Sequence, residues 1–213
     1  MELSTVVYEA EPDVAAELFG EHIDAARRYT ADLARRGEEL GLIGPLELPR
    51  LWTRHILNSA LVAALVWPNA RVGDIGSGAG LPGLVLAIAR PDAQFVLIEP
   101  MERRCDWLRH EAAELGLINV ELMRVRAEEA HPAPLLDQAT ARAVSALSKL
   151  LPLTVPLVRP GGEVILMKGA NVEAEVSAAA KAIKRLRLTD CEILVLGDGV
   201  ATEATRVFRA TVD

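Results

Sequence analysis

The chain has 213 residues, 51% of them hydrophobic, with 23 basic and 30 acidic side chains and a net charge of −7. That length suits one α/β domain with an extension, the apolar content excludes a disordered chain, and the negative balance excludes a protein that coats nucleic acid nonspecifically. Two lone cysteines, Cys105 and Cys191, form neither a metal motif nor a disulfide framework and point to a reducing cytoplasm.

The first nine residues, M-E-L-S-T-V-V-Y-E, lack the basic region of a signal peptide. The longest apolar run, Ala60–Trp67, falls far short of the ~20 residues that cross a bilayer, so no membrane partner is expected. Residues 1–11 are expected to fray. Pro12–Phe19 reads as a short helix and His22–Leu40 as a longer one. In the longer helix apolar or small residues recur three and four apart at Ile23, Ala26, Tyr29 or Thr30, Leu33, Gly37 and Leu40. Arg27, Arg28, Arg35 and Arg36 occupy its other faces, as a solvated surface or a partner contact. Gly41–Pro49 is a Gly- and Pro-rich loop. Leu51–Leu65 reads as a helix containing R-H-I-L-N-S, which sets Arg54, His55 and Asn58 within a narrow arc. His55 suits either a hydrogen-bonded junction or the rim of a site.

From Asn69 the pattern changes to short apolar strands alternating with helices, the signature of a parallel βαβ series. Strands are expected near 71–75, 94–98, 119–124, 137–142, 162–167, 190–196 and 205–212. Helices are expected near 81–90, 102–116, 146–158 and 171–187. Only Gly197–Ala204 separates the last two strands, too short for a crossover helix, so they form an antiparallel hairpin. A mostly parallel sheet closed by such a hairpin is the mark of Rossmann-like class I methyltransferases; the sixth strand of dehydrogenases stays parallel. The expected division is a helical N-terminal extension, residues 1–67, packed on a catalytic domain, residues 68–213.

At the centre stands R-V-G-D-I-G-S-G-A-G-L-P-G, Arg71–Gly83. A strand, a glycine turn and a helix N-terminus in that order make a binding place for a small molecule, because glycine admits positive φ and close backbone approach. Gly78, Gly80 and Gly83 spell the G-x-G-x-x-G of dinucleotide folds. Asp74, Gly76, Gly78 and Gly80 spell D-x-G-x-G-x-G, the usual first motif of S-adenosylmethionine (SAM)-dependent methyltransferases. The acid favours SAM: it repels a phosphate but suits a ligand with an ammonium and a sulfonium. Glu99, closing the second strand, stands at roughly the ~20-residue offset of a ribose-binding acid. An NAD-dependent oxidoreductase rests only on the overlapping glycine pattern, with no catalytic His or Tyr–Lys pair to support it.

Ligands on open α/β sheets sit at the carboxyl ends of the strands. Ala127 and Glu128 fall there after the third strand, as an adenine contact or simply as a helix start. Arg142 falls there after the fourth, and Lys168 after the fifth; each suits a site or an internal ion pair.

R-H-I-L-N-S, D-I-G-S-G-A-G-L-P-G, L-I-E-P, R-A-E-E, A-R-A-V-S-A-L and M-K-G, in this order, resemble the RsmG (GidB) family of 16S ribosomal RNA guanine-N7 methyltransferases over residues 25–195. The resemblance implies SAM contacts at Gly76, Leu81, Ala127, Glu128 and Arg142. Glu99 stands where Asp is frequent, and Gly41–Leu48 lacks an N-L-T-like segment. Asp74, Gly78, Gly80 and Glu99 complete the expected cofactor set. Arg54, His55, Arg103, Arg104 and Arg126 are RNA-binding candidates. Arg142 and Lys168 are expected to position the reactants, with no catalytic acid or base and no metal. The implied partner is 16S rRNA within the small ribosomal subunit, met by a monomer. A SAM enzyme acting on another RNA, a protein or a small molecule is the alternative, and a nonenzymatic module that kept the fold is a third reading.

Overall fold

The computed structural model describes residues 7–44, 46–198 and 204–213. Seven strands form one sheet: β1 (Arg71–Ile75), β2 (Gln94–Ile98), β3 (Val120–Met123), β4 (Leu136–Arg142), β5 (Val158–Lys168), β6 (Leu188–Leu196) and β7 (Thr205–Val212). Their order is β3-β2-β1-β4-β5-β7-β6, so the last strand slides between its two predecessors. β1 pairs in parallel with β2 and β4, β2 with β3, and β4 with β5; β7 runs antiparallel to both β5 and β6. The expected hairpin is present, with part of its loop, 199–203, outside the described residues.

Period-two alternation along the strands divides the apolar side chains between two layers. Phe95, Leu97, Ile165, Met167 and Val207 face one core, shared with α4 (Gly83–Ala89) and α5 (Glu102–Glu114). Val96, Ile98, Val164, Leu166 and Phe208 face the other, under α6 (Leu147–Thr154) and α7 (Val172–Arg185). The first core also takes the N-terminal helices α1 (Val14–Phe19) and α2 (Ile23–Arg36), and a stretch wound through Leu48–Arg50, Leu51–Leu57, α3 (Asn58–Leu61) and Val62–Leu65. Gln138 on β4 fastens the end of that stretch: its amide donates to Leu65 O at 2.9 Å and its carbonyl accepts from Trp67 N at 2.9 Å.

Four expectations need correction. The long N-terminal helix ends at Arg36, not Leu40, because Gly37 packs against Ile43 and its carbonyl accepts from Leu42 N at 2.7 Å, turning the chain. The Leu51–Leu57 portion is a π-helix, whose i→i+5 bonding widens the arc expected for Arg54, His55 and Asn58. β5 begins at Val158, with Pro160 and Gly161 inside it, where a register shift opposite Leu136 and Gln138 admits the breakers. Residues 7–11 are tied down: Glu9 accepts from Thr53 N and Thr53 Oγ1 at 3.0 and 2.9 Å, and Glu11 pairs with Arg27. The expectation for residues 1–6 lies outside the described residues.

Candidate functional site

The glycine turn sits at the carboxyl end of β1 and is held from both sides. Gly76 N and Ser77 N donate to Ile98 O at 2.8 and 3.2 Å, and Ser77 Oγ donates to Asp74 O at 2.9 Å. Gly76, Gly78 and Gly80 have φ of +74°, +56° and +98°, the left-handed region that only glycine enters at low cost. Asp74, expected at the mouth of the turn, lies fully buried beneath it and lines none of the cavities described below. Its Oδ2 accepts from Gly83 N at 3.0 Å at the start of α4, whereas Oδ1 has no partner. Burial pushes this carboxyl up to about 7.

Two small cavities flank the turn and meet a larger groove. One, about 290 Å³, is lined by Gly76, Gly78 and Leu81 and roofed by Leu42, Ile43 and Gly44 from the Gly41–Pro49 loop. The second, about 340 Å³, runs from Gly76 past Glu99 and Met101 to Arg126, Ala127 and Glu128. The groove, about 930 Å³, lies beyond β4 and β5 and is lined by Arg54, Asn58, Ser145, Lys168, Asn171 and Arg206 among others. All three meet at Arg142 and Ala143. Ala143 has a φ of +55°, a strained conformation for a residue with a Cβ, at the junction of the three spaces.

Arg142 is clasped by the R-H-I-L-N-S segment. Its Nη2 donates to His55 Nδ1 at 2.8 Å and to Arg54 O at 3.1 Å, and Nη1 reaches His55 O and Ser59 Oγ at 3.4 and 3.5 Å. Guanidinium has no acceptor, so His55 Nδ1 must be the bare nitrogen and Nε2 the protonated one. Nε2 therefore donates to Glu47 Oε2, 2.6 Å away. Burial, and then the Arg142 charge, push His55 down to about 4, which keeps the ring neutral and in that tautomer. Burial opposes ionisation of Glu47, but Arg50 and His55 outweigh it and hold its carboxyl below the usual range. An aligned chain, Glu47–His55–Arg142, thus connects the roof loop to the end of β4.

The other predicted residues divide. Glu99 is 2% exposed; its Oε2 accepts from Gly78 N at 3.0 Å and its Oε1 from Met101 N at 3.0 Å. Arg104 lines both small cavities, 3.8 Å from Glu99, which joins it to the turn rather than to the outer surface expected for an RNA contact. Arg103 stands apart, over a separate hollow between α2 and α5. His55 is inward-facing with both nitrogens engaged, so it holds Arg142 rather than presenting an edge to RNA. Arg54 and Arg126 are more open, on the groove and on the second cavity. Lys168 is 8% exposed, donating to Ser145 O at 2.8 Å and pairing with Glu175 at 2.7 Å; it fastens the loop after β4. Gly80 lines none of the cavities, and a Cβ there would meet Leu84 at 2.5 Å.

Several side chains of this site escaped the sequence reading: Glu47 and Ile43 in the roof, Val144 and Met101 at the second cavity, Asn171, Glu175 and Arg206 at the groove. Only the Gly/Pro loop itself offered a signal for the roof.

The profile of the GidB family, described as rRNA small subunit methyltransferase G, matches residues 22–202. The chain belongs to that family. It is 64% identical over 204 residues to the ribosomal RNA small subunit methyltransferase G of Leifsonia xyli subsp. xyli, covering 96% of this chain and 97% of that one. The protein of the same name from Thermobifida fusca is 46% identical over 200 residues, covering 94% and 84%. Solved structures share the fold at low identity. The tRNA (m1A58) methyltransferase TrmI of Aquifex aeolicus has a TM-score of 0.57 at 19% identity, over 73% of this chain and 68% of that one. A predicted O-methyltransferase, Atu636, of Agrobacterium tumefaciens has a TM-score of 0.58 at 18% identity, over 72% and 80%. The GidB-family chain is thus a class I methyltransferase fold. Among its described residues no helix is long and apolar enough to cross a membrane.

Proposed function

We propose that this chain methylates N7 of a guanine in 16S rRNA, with SAM held over the glycine turn and the small ribosomal subunit presenting the base. Family membership supports an rRNA small-subunit methyltransferase. The observation that carries the reading is the meeting of the glycine-turn cavities with a separate groove at Arg142–Ala143. Ligands in the turn cavities and in the groove would have Arg142 and Ala143 as common neighbours.

The residues present suit SAM. The space beside Gly76 is a cradle that a Cβ would narrow, approaching Val144 at 3.0 Å. Glu99 at the end of β2 suits ribose hydroxyls, and Ala127 with Glu128 at the outer rim suits an adenine. Gly78 and Leu81 lie beside Arg104 and Arg142, two cations suited to the methionyl carboxylate. When bound, SAM supplies an electrophilic methyl group. Guanine N7 has a lone pair and no proton, so the chain needs no general base there. Its contribution is placement, which supplies up to ~7–11 kcal/mol in well-aligned reactions. Arg142 is the positioning cation at the junction; Lys168 acts through Ser145 and Glu175, fixing the loop that carries Ala143 and Val144. Arg54 and Arg206 on the groove suit RNA phosphate, and Arg126 suits it at the cofactor rim.

The proposal extends to a monomeric, cytoplasmic enzyme with a helical extension, residues 1–67, and a catalytic domain, residues 68–213. Methylation of another RNA, a protein or a small molecule is the second reading, since the same cofactor cavities serve any acceptor. An NAD-dependent reaction is disfavoured by the reversed β7 between β5 and β6. The test is incubation with labelled SAM and small subunits lacking the modification: label in 16S rRNA supports the proposal, and label absent from RNA refutes it.

A further inference from the structure

The glycine turn poses a problem of rigidity. Three of its five residues, Gly76, Gly78 and Gly80, have positive φ and are glycine, the residue that loses most freedom on ordering. A ligand that packs against the backbone of such a turn must either find it fixed or expend binding energy in fixing it. Its N–H groups are tied to neighbours within the β1–turn–α4 unit and to β2: Gly76 and Ser77 to Ile98 O, Gly78 to Glu99, Gly80 to Ser77 O. The Ala79 carbonyl is held from elsewhere. Tyr29 Oη on α2 donates to Ala79 O at 2.9 Å, and Trp107 Nε1 on α5 donates to the same oxygen at 2.8 Å. Both donors are buried, at 0% and 2% exposure, and together they saturate the two lone pairs of the carbonyl between Gly78 and Gly80.

The geometry points to Tyr29 and Trp107 as positioning residues for the cofactor, acting through Ala79 O to preorganise the turn. The inference rests on the SAM reading of that turn. It gives the N-terminal extension a second task besides any contact with RNA: α2 completes the cofactor site of the neighbouring unit. Arg36, also on α2, lies 5.3 Å over the Trp107 ring and backs the indole, so one helix supports both donors. Burial, and then Glu111, push the Tyr29 hydroxyl well up, keeping it a donor at every working pH.

Tyr29→Phe removes one donor, keeps the ring and leaves Trp107 on the carbonyl, so no acceptor is orphaned. The expected result is a 3- to 10-fold weaker Kd for SAM by calorimetry, the range of one net hydrogen bond. The KM for SAM rises with it, while kcat at saturating SAM and the KM for small subunits stay within twofold of wild type. Tyr29→Phe combined with Trp107→Phe leaves Ala79 O buried without a donor, and its loss of SAM affinity exceeds the product of the single losses. A lowered Tm with unchanged SAM affinity would mean the pair is merely structural and overturns the inference. So does a raised KM for subunits with unchanged KM for SAM. A wild-type protein that binds no SAM overturns the cofactor reading itself, and this inference with it.

Discussion

Asp74→Asn should make the protein more stable above neutral pH, even though it alters the central motif. Asp74 is fully buried, with Oδ2 on Gly83 N and Oδ1 unpartnered, and burial raises its carboxyl from 3.8 to about 7. That difference corresponds to about 4 kcal/mol against the charged form. Because the folded value lies above the unfolded one, the native state holds a proton that the unfolded state has released. Stability therefore falls as pH rises from about 4 to about 7, by about 1.4 kcal/mol per unit, and is flat above. Asparagine keeps the acceptor for Gly83 N and has no proton to lose, but its amide N–H₂ takes the partnerless position, at a cost of about 1–3 kcal/mol. The net gain above pH 7 is about 1–3 kcal/mol, or about 2–12 °C in Tm for a chain of this length. Glu111 is also buried with both oxygens unpartnered and is pushed up to about 7, by burial first and then by Asp32. It is present in both proteins and cancels in the difference. Urea unfolding of both at pH 5.5, 6.5, 7.5 and 8.5 measures the gap directly. Parallel stability curves, or a variant less stable at pH 8.5, would refute the reasoning.

Further substitutions separate fold from ligand. Gly83→Ala brings a Cβ to 2.5 Å from Asp74 Oδ2 and against Leu97, in a closed interior, and should cost about 1–3 kcal/mol or more in thermal unfolding. In Gly78→Leu the Cβ meets nothing nearer than Gly76 O at 3.7 Å, so the bulk enters the cavity; the φ of +56° costs about 1–2 kcal/mol of stability, and calorimetry on the folded variant should detect no SAM binding. Undiminished affinity there would remove the cofactor argument. Arg142→Ala should abolish methylation of small subunits. His55→Ala removes the ring that orients Arg142, and should lower turnover about 10- to 100-fold, the range of a hydrogen bond to a charged group. Near-wild-type turnover in either variant would refute the positioning role. An acidic enzyme making few phosphate contacts should show a shallow salt dependence and bind free RNA poorly, which a filter-binding titration across salt concentrations would check.

Much of this architecture could be read because local pattern and tertiary context agree. β2 carries the apolar run Phe95–Ile98 closed by Glu99, β1 sets Val72 and Ile75 before Gly76, and both strands have the expected bounds. β5 differs because Pro160 and Gly161 read as a loop locally, whereas a register shift beside β4 accommodates them. The glycine turn was legible for a similar reason: positive φ restricts residue type within a short stretch. The chain Glu47–His55–Arg142 was not, since Arg142 lies 87 residues from its imidazole partner and no periodicity relates them. The Tyr29 hydroxyl illustrates the limit most clearly. Spacing marks Tyr29 or Thr30 as a core position on α2, but only the assembled fold shows the Tyr29 oxygen meeting Ala79, 50 residues away.

The most direct measurement takes small subunits from cells lacking this protein, treats them with the purified enzyme and methyl-labelled SAM, digests the 16S rRNA and separates the nucleosides. The account predicts that the label appears as N7-methylguanosine, about one per subunit, and disappears with Arg142→Ala. Label on another base, or none in the RNA, would contradict it.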